Sequence, residues 1–184
     1  TTYHLTGLKE SLGKSIEVLA DMVQRSQFPQ NELDSEREVV KQEIARSRDN
    51  PTRQMFDQLL RQAYPDQPYG RTVLGPEANI DALPRQAFFD YVKENYTAEN
   101  MVLAVSGNVD HDEVVALAKK HFDELPQGKP APAKVPEYVG GYEKTEGPIE
   151  QAHFAIGMKS VGRNHPDYYA HILAAQILGG GMSS

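Results

Sequence analysis

Between Pro126 and Pro148 the chain carries five prolines and four glycines, and this run divides the sequence in two. Proline fixes φ and donates no hydrogen bond, while glycine loses the most backbone entropy on ordering. Neither a helix nor a central strand passes through such a segment, which reads as a linker partly extended by its prolines. The expected organisation is therefore residues 1–125 as most of one domain, 126–148 as linker, and 149–184 as the opening of another. A length of 184 residues agrees with one to one and a half domains.

Before the linker the pattern is mainly helical. Leu12, Ile16, Leu19, Ala20 and Val23 recur at helical spacing, which predicts an amphipathic helix over 11–26 ended by Phe28-Pro29. A second helix is expected from about Asn31, as its N-cap, to Arg48. Asn50-Pro51 opens a third, through Ala63. Residues 64–76 are rich in Pro and Gly and read as loop. Helices follow from near Pro84 to Asn95, and after Asp110 as a cap. Met101–Ser106 and His153–Met158 are short apolar runs that read as strands, and 166–178 reads as a helix ended by glycines. Thr1–Leu5 has the β-branched and aromatic content of a strand end, so the chain is expected to be a piece of something longer.

Composition narrows the partners. A net charge of −7 with scattered Lys and Arg argues against nucleic acid, whose phosphates need clustered cations. The longest apolar stretch, 169–178, is interrupted by His171 and Gln176 and is too short to span a bilayer. The absence of Cys excludes disulfides and thiolate zinc sites and leaves the compartment open.

The informative chemistry lies in the second helix. Glu36 and Glu43 stand seven residues apart and project within about 20° of each other. Taking Leu33 as zero, Val40 and Ile44 fall within about 20° of it and Val39 near −120°. Both carboxylates lie between these, inside the expected apolar arc. A core-facing carboxylate is costly unless paired or metal-bound. An ion pair from Glu43 to Arg46, or a hydrogen bond from Ser47, would explain it without function.

The run Ser35-Glu36-Arg37-Glu38-Val39-Val40-Lys41-Gln42-Glu43-Ile44 resembles the E-R-x-V-[IV]-x-x-E signature of the pitrilysin/insulinase-type zinc peptidases. Further landmarks keep that family's order: Leu19-Ala20-Asp21-Met22, Asp49-Asn50-Pro51, Gly70-Arg71-Thr72-Val73-Leu74-Gly75, and Tyr96 to Gly107. His165-Pro166-Asp167 and residues 177–184 resemble the start of the family's next homologous domain. The resemblance spans essentially the whole chain and is nearest the bacterial processing-peptidase-like branch, similar to the mitochondrial processing peptidase beta subunit.

What the resemblance implies is an α+β fold, with helices packed on a mostly antiparallel mixed sheet. It also implies an inverted zincin, in which two His of H-x-x-E-H and a distant Glu hold zinc while the motif's own Glu activates water. By position Glu43 matches the distant ligand, and Glu36 a supporting acidic residue beside it. No H-x-x-E-H occurs in these 184 residues. The expectation is a zinc endopeptidase parent whose motif lies outside this chain, the chain itself being inert and binding zinc weakly or not at all. Implied partners are peptides or presequences and a homo- or heterodimeric mate, in a soluble setting such as bacterial cytoplasm or periplasm. The rival expectation is a non-catalytic homologue serving an active subunit. His4, His111, His121, His153, His165 and His171 lack ligand spacing and are expected to be surface or hydrogen-bonded residues. Gly179–Gly181 follows a helix and lacks a Lys-Ser/Thr, so it is not read as a phosphate loop.

Overall fold

The computed structural model describes residues 1–129, 132–148 and 150–181. Its elements are α1 (Leu12–Gln24), α2 (Gln30–Arg48), α3 (Pro51–Ala63), α4 (Glu77–Ala82), α5 (Arg85–Asn95), α6 (His111–His121) and α7 (Tyr168–Gly179), with three short 3₁₀ turns. The chain divides into two compact units, residues 1–42 with 76–134 and residues 43–75 with 135–184, the first boundary falling within α2.

The α+β expectation is overturned. Among the described residues there is no β-strand, and every regular element is helical. Met101–Ser106 and His153–Met158 have strand composition but no ladder partner. Val102 is 92% exposed and Phe154 84%. A helix closes its own hydrogen bonds, whereas a strand exists only through a neighbour. A short apolar run marks a segment suited to burial and cannot supply that neighbour.

In the first unit, α1 forms where its apolar stripe predicts, with Ile16, Ala20 and Val23 buried on one face. This face meets α6, whose N-terminus is capped by the Asp110 carboxylate accepting from the Glu113 amide at 3.0 Å. At the far end Gln24 donates to the His121 carbonyl at 2.7 Å and accepts from the Glu124 amide, satisfying groups freed where α6 stops. Arg25 pairs with Glu124 alongside, and this hydrogen bond raises the guanidinium pKa further.

The N-terminal segment packs through Tyr3, whose hydroxyl lies 2.8 Å from that of Tyr96. This hydrogen bond, then burial, pushes the Tyr3 phenol up to about 12. The folded value exceeds the ordinary value of about 10. The contact therefore contributes fully below that pH and is lost as pH rises from about 10 through about 12. In an absorbance titration at 295 nm, Tyr3→Phe should remove one late-ionising phenol. An unchanged high-pH limb would contradict this.

In the second unit, α3 begins at the predicted cap, the Asn50 side chain accepting from the Arg53 amide at 3.0 Å with Pro51 following. Asn50→Ala should cost about 1 kcal/mol and Asn50→Gly only a few tenths in urea denaturation, and equal losses would argue against the cap. Beyond α3, the Tyr64 ring meets Tyr69 and Tyr138 edge-on at 4.9 and 6.0 Å. Two landmark glycines have plain steric reasons. A Cβ on Gly70 would lie 2.2 Å from the Tyr64 carbonyl oxygen, and Gly75 has φ +70°.

Candidate functional site

The α2 helix carries both carboxylates singled out by sequence. It starts at Gln30, one residue before the expected cap, so Asn31 lies within its first turn and bonds Glu32. Its buried contacts are narrow: Leu33 is 9% exposed and Ile44 5%, with Val40 half-buried between them. Val39 is 47% exposed. The apolar arc therefore stops short of the azimuth of Glu36 and Glu43, which lie near −60° and −80° from Leu33.

Both carboxylates are exposed, which corrects the core-facing expectation. Neither has a hydrogen bond or ion pair among the described residues, so the pairings to Arg46 and Ser47 do not form. On a regular helix the two stand about 10 Å apart along the axis, so one ion cannot be shared without long side chains converging. Such a free carboxylate fits one oxygen-ligand position of a zinc centre. Three donors do not converge: among the described residues no group of three His, Cys, Asp or Glu could hold a metal ion.

The opposite flank of α2 is occupied. Arg37 donates to the Leu83 carbonyl and to Asp34, each at 2.6 Å. Lys41 meets Asp81 at 2.5 Å and Glu38 at 3.1 Å, and these hydrogen bonds, Asp81's first, raise its pKa. At the entry to α2, Arg85 donates to the carbonyls of Phe28 and Gln27 at 2.6 and 2.7 Å. Its guanidinium lies 4.9 Å from the centre of the Phe89 ring, against which Phe28 also packs. These partners are some 40 to 58 residues apart in sequence and escaped the sequence reading. The only local signal is the i, i+4 basic pair Arg37/Lys41 beside the buried stripe.

His4 and His111 are exposed and three further histidine rings meet polar neighbours, while His121 is half-buried. His171 Nδ1 lies 3.0 Å from Ser160 Oγ, His165 accepts from the Asp167 amide, and His153 approaches Thr52 at 3.5 Å. In the second unit a cleft of about 710 Å³ opens between α3 and the segments around 141–148 and 153–155. Met55, Leu59, Tyr142 and Phe154 supply its apolar wall. Along α3, Gln58 donates to Thr145, and Arg61 and Gln62 both donate to Glu143.

Comparison with known proteins shows what the chain is similar to. Residues 1–77 match the insulinase family, peptidase family M16, and residues 82–184 match the peptidase M16 inactive domain. A protein of Rickettsia bellii named an uncharacterized zinc protease is 35% identical over all of this chain and 45% of its own length. The beta subunit of the mitochondrial-processing peptidase of Neurospora crassa is 32% identical over 97% of this chain and 39% of its own length. The human beta subunit is 35% identical, over 97% and 37%. The chain thus spans less than half the length of the relatives it matches. A protease structure from Helicobacter pylori aligns with TM-score 0.63 at 25% identity, over 71% of this chain and 32% of that one. An M16 inactive domain from Pseudomonas fluorescens aligns with TM-score 0.71 at 22% identity, over 94% and 42%. The latter speaks to fold alone.

Proposed function

Because the chain belongs to the M16 peptidase family, we propose that the complete polypeptide carrying it is a zinc-dependent endopeptidase with Glu43 as a metal ligand. The observation that carries this is the match of residues 1–77, which include α2, to the insulinase family, at 35% identity to a zinc protease over the whole chain. The carboxylate of Glu43, exposed and without a partner among the described residues, is compatible with that role, since a ligand must be free to reach the metal. Glu36, seven residues earlier on the same flank of the helix, supports the ligand or its neighbours. When bound, zinc supplies a Lewis acid and a water activated near neutral pH. The two imidazoles and the general base come from an H-x-x-E-H motif elsewhere in that polypeptide. The 184 residues alone are inert and bind zinc weakly, and stoichiometric zinc held by Glu43 in this chain would contradict that. The substrates are extended peptides or presequences, and the division 1–125, 126–148 and 149–184 belongs to the same proposal. A pairing with a related subunit fits the relatives named as beta subunits.

A second reading is a non-catalytic homologue that binds substrate or scaffolds an active subunit. It is favoured by the match of residues 82–184 to an inactive domain. The complete polypeptide decides between them. Cleavage of a basic presequence-type peptide, abolished by 1,10-phenanthroline and restored by zinc, supports the first reading. Peptide binding without cleavage, with or without added zinc, supports the second.

A further inference from the structure

The cleft of the second unit is walled in part by a stretch of chain that α3 already holds in extended form. Residues 137–145 run antiparallel to α3, gripped mainly by glutamine side chains. Gln67 donates to the Glu137 carbonyl and accepts from the Glu137 amide, both at 2.8 Å, as a neighbouring backbone would. The Val139 amide donates to the Ala63 carbonyl at 2.9 Å. Further along, Gln62 reaches Glu143 and Gln58 reaches Thr145, each at 2.9 Å. The approach is close: a Cβ on Gly141 would lie 2.4 Å from the Gln62 amide oxygen. Gln54, Gln58 and Gln62 follow one another by one helical turn, so they share a face of α3.

Beyond Thr145 the held segment leaves this face, and the cleft of about 710 Å³ lies open there. Ligand sites commonly have roughly 300–1,000 Å³. Met55 and Leu59 are half-buried in its wall, while the rings of Tyr142 and Phe154 are 85% and 84% exposed. The walls formed by residues 141–147 and 153–155 carry amides and carbonyls that make no backbone–backbone hydrogen bond among the described residues. An apolar wall beside unpaired backbone groups suits an extended peptide, whose main chain supplies the partners and whose side chain fills the hollow. Charge selects the side chain next to it. Asp49, just before α3, lines the cleft, and its carboxylate is exposed and without a partner among the described residues. The nearby cations are taken: Lys144 pairs with Glu146 at 2.6 Å, and Arg48 is engaged as well.

We propose that this cleft binds an extended peptide that carries a large apolar or aromatic side chain with a lysine or arginine close by in its sequence. The large side chain packs on Met55 and Leu59 within reach of Tyr142 and Phe154, and the cation meets Asp49. The second unit supplies every group involved. Binding here requires neither zinc nor cleavage, so it stands or falls separately from the peptidase reading.

The chain contains no Trp, so a tryptophan in a peptide reports its own surroundings. The probe is the capped heptapeptide Ala-Lys-Ala-Trp-Ala-Lys-Ala, titrated with the 184-residue chain in the presence of EDTA. Its emission should shift to the blue and saturate. In ¹⁵N–¹H spectra the perturbed amides should be those of α3 and of residues 141–147 and 153–155, with α1 and α6 unmoved. Phe154→Ala and Tyr142→Ala, both at exposed positions, should each weaken binding about three- to tenfold at unchanged helix content. Asp49→Asn should weaken the lysine peptide about two- to fivefold and leave unchanged a peptide with Gln in place of both lysines. No saturable shift at millimolar concentrations overturns the proposal. Perturbed amides in α1 or α6, or binding indifferent to both aromatic substitutions, overturns the site. Lysine and glutamine peptides held equally well by the parent overturn the choice of a basic partner.

Discussion

Replacing Glu43 by Gln in the complete polypeptide should abolish zinc-dependent peptide cleavage. The loss should exceed the roughly 10- to 100-fold typical of an outer-shell partner, because a direct ligand is removed. Gln keeps the shape and the helix propensity of Glu but offers a neutral, weaker oxygen. Because Glu43 is exposed and has no partner among the described residues, the substitution should leave the melting temperature unchanged. Zinc affinity should fall together with activity. Glu36→Gln should fall within the outer-shell range instead, which separates the two roles assigned to residues on one flank of one helix. Equal and small effects at both positions would remove the ligand assignment.

The second large effect is on stability. Ile16 is the largest fully buried side chain, 2% exposed, with Ala20 and Val23 beside it on the buried face of α1. Ile16→Ala removes buried methyl groups and leaves a cavity, which should cost about 2–5 kcal/mol. For a chain of this size that corresponds to a fall in Tm of roughly 4–20 °C. Val73→Ala, at a residue 97% exposed, is the matched control and should stay within about 0.5 kcal/mol of the parent. Circular dichroism at 222 nm reads both. A small loss at Ile16 would mean that the α1–α6 interface relaxes around the cavity.

What could be read in the sequence was local. The stripe of α1, the Asn50 and Asp110 caps and the landmark glycines at Gly70 and Gly75 all act within a few residues of themselves, and the structure shows each. The family resemblance was legible for a different reason: several weak motifs stood in the right order, and the family matches agree. The sheet was misread because Met101–Ser106 and His153–Met158 show apolar runs but carry no information about a pairing partner. Helix geometry fixes the azimuth of Glu36 and Glu43, but residue type does not fix the width of the apolar arc. Val39 is apolar and exposed, so the arc ended before it reached them. The short helix α4 begins after Pro76, which offers no side-chain cap, so the sequence carries no start signal for it. The hydrogen bonds and ion pair from Asp81, Leu83 and Arg85 to the α2 region leave no local trace in the sequence, because each joins residues far apart in the chain.

The most direct measurement is to read the coding sequence immediately upstream of Thr1 in the source gene. The account predicts an H-x-x-E-H motif there, supplying two zinc-binding imidazoles and a general base to complete a centre with Glu43. Other residues at those positions would contradict the peptidase reading and leave Glu36 and Glu43 as solvated carboxylates of a non-catalytic homologue.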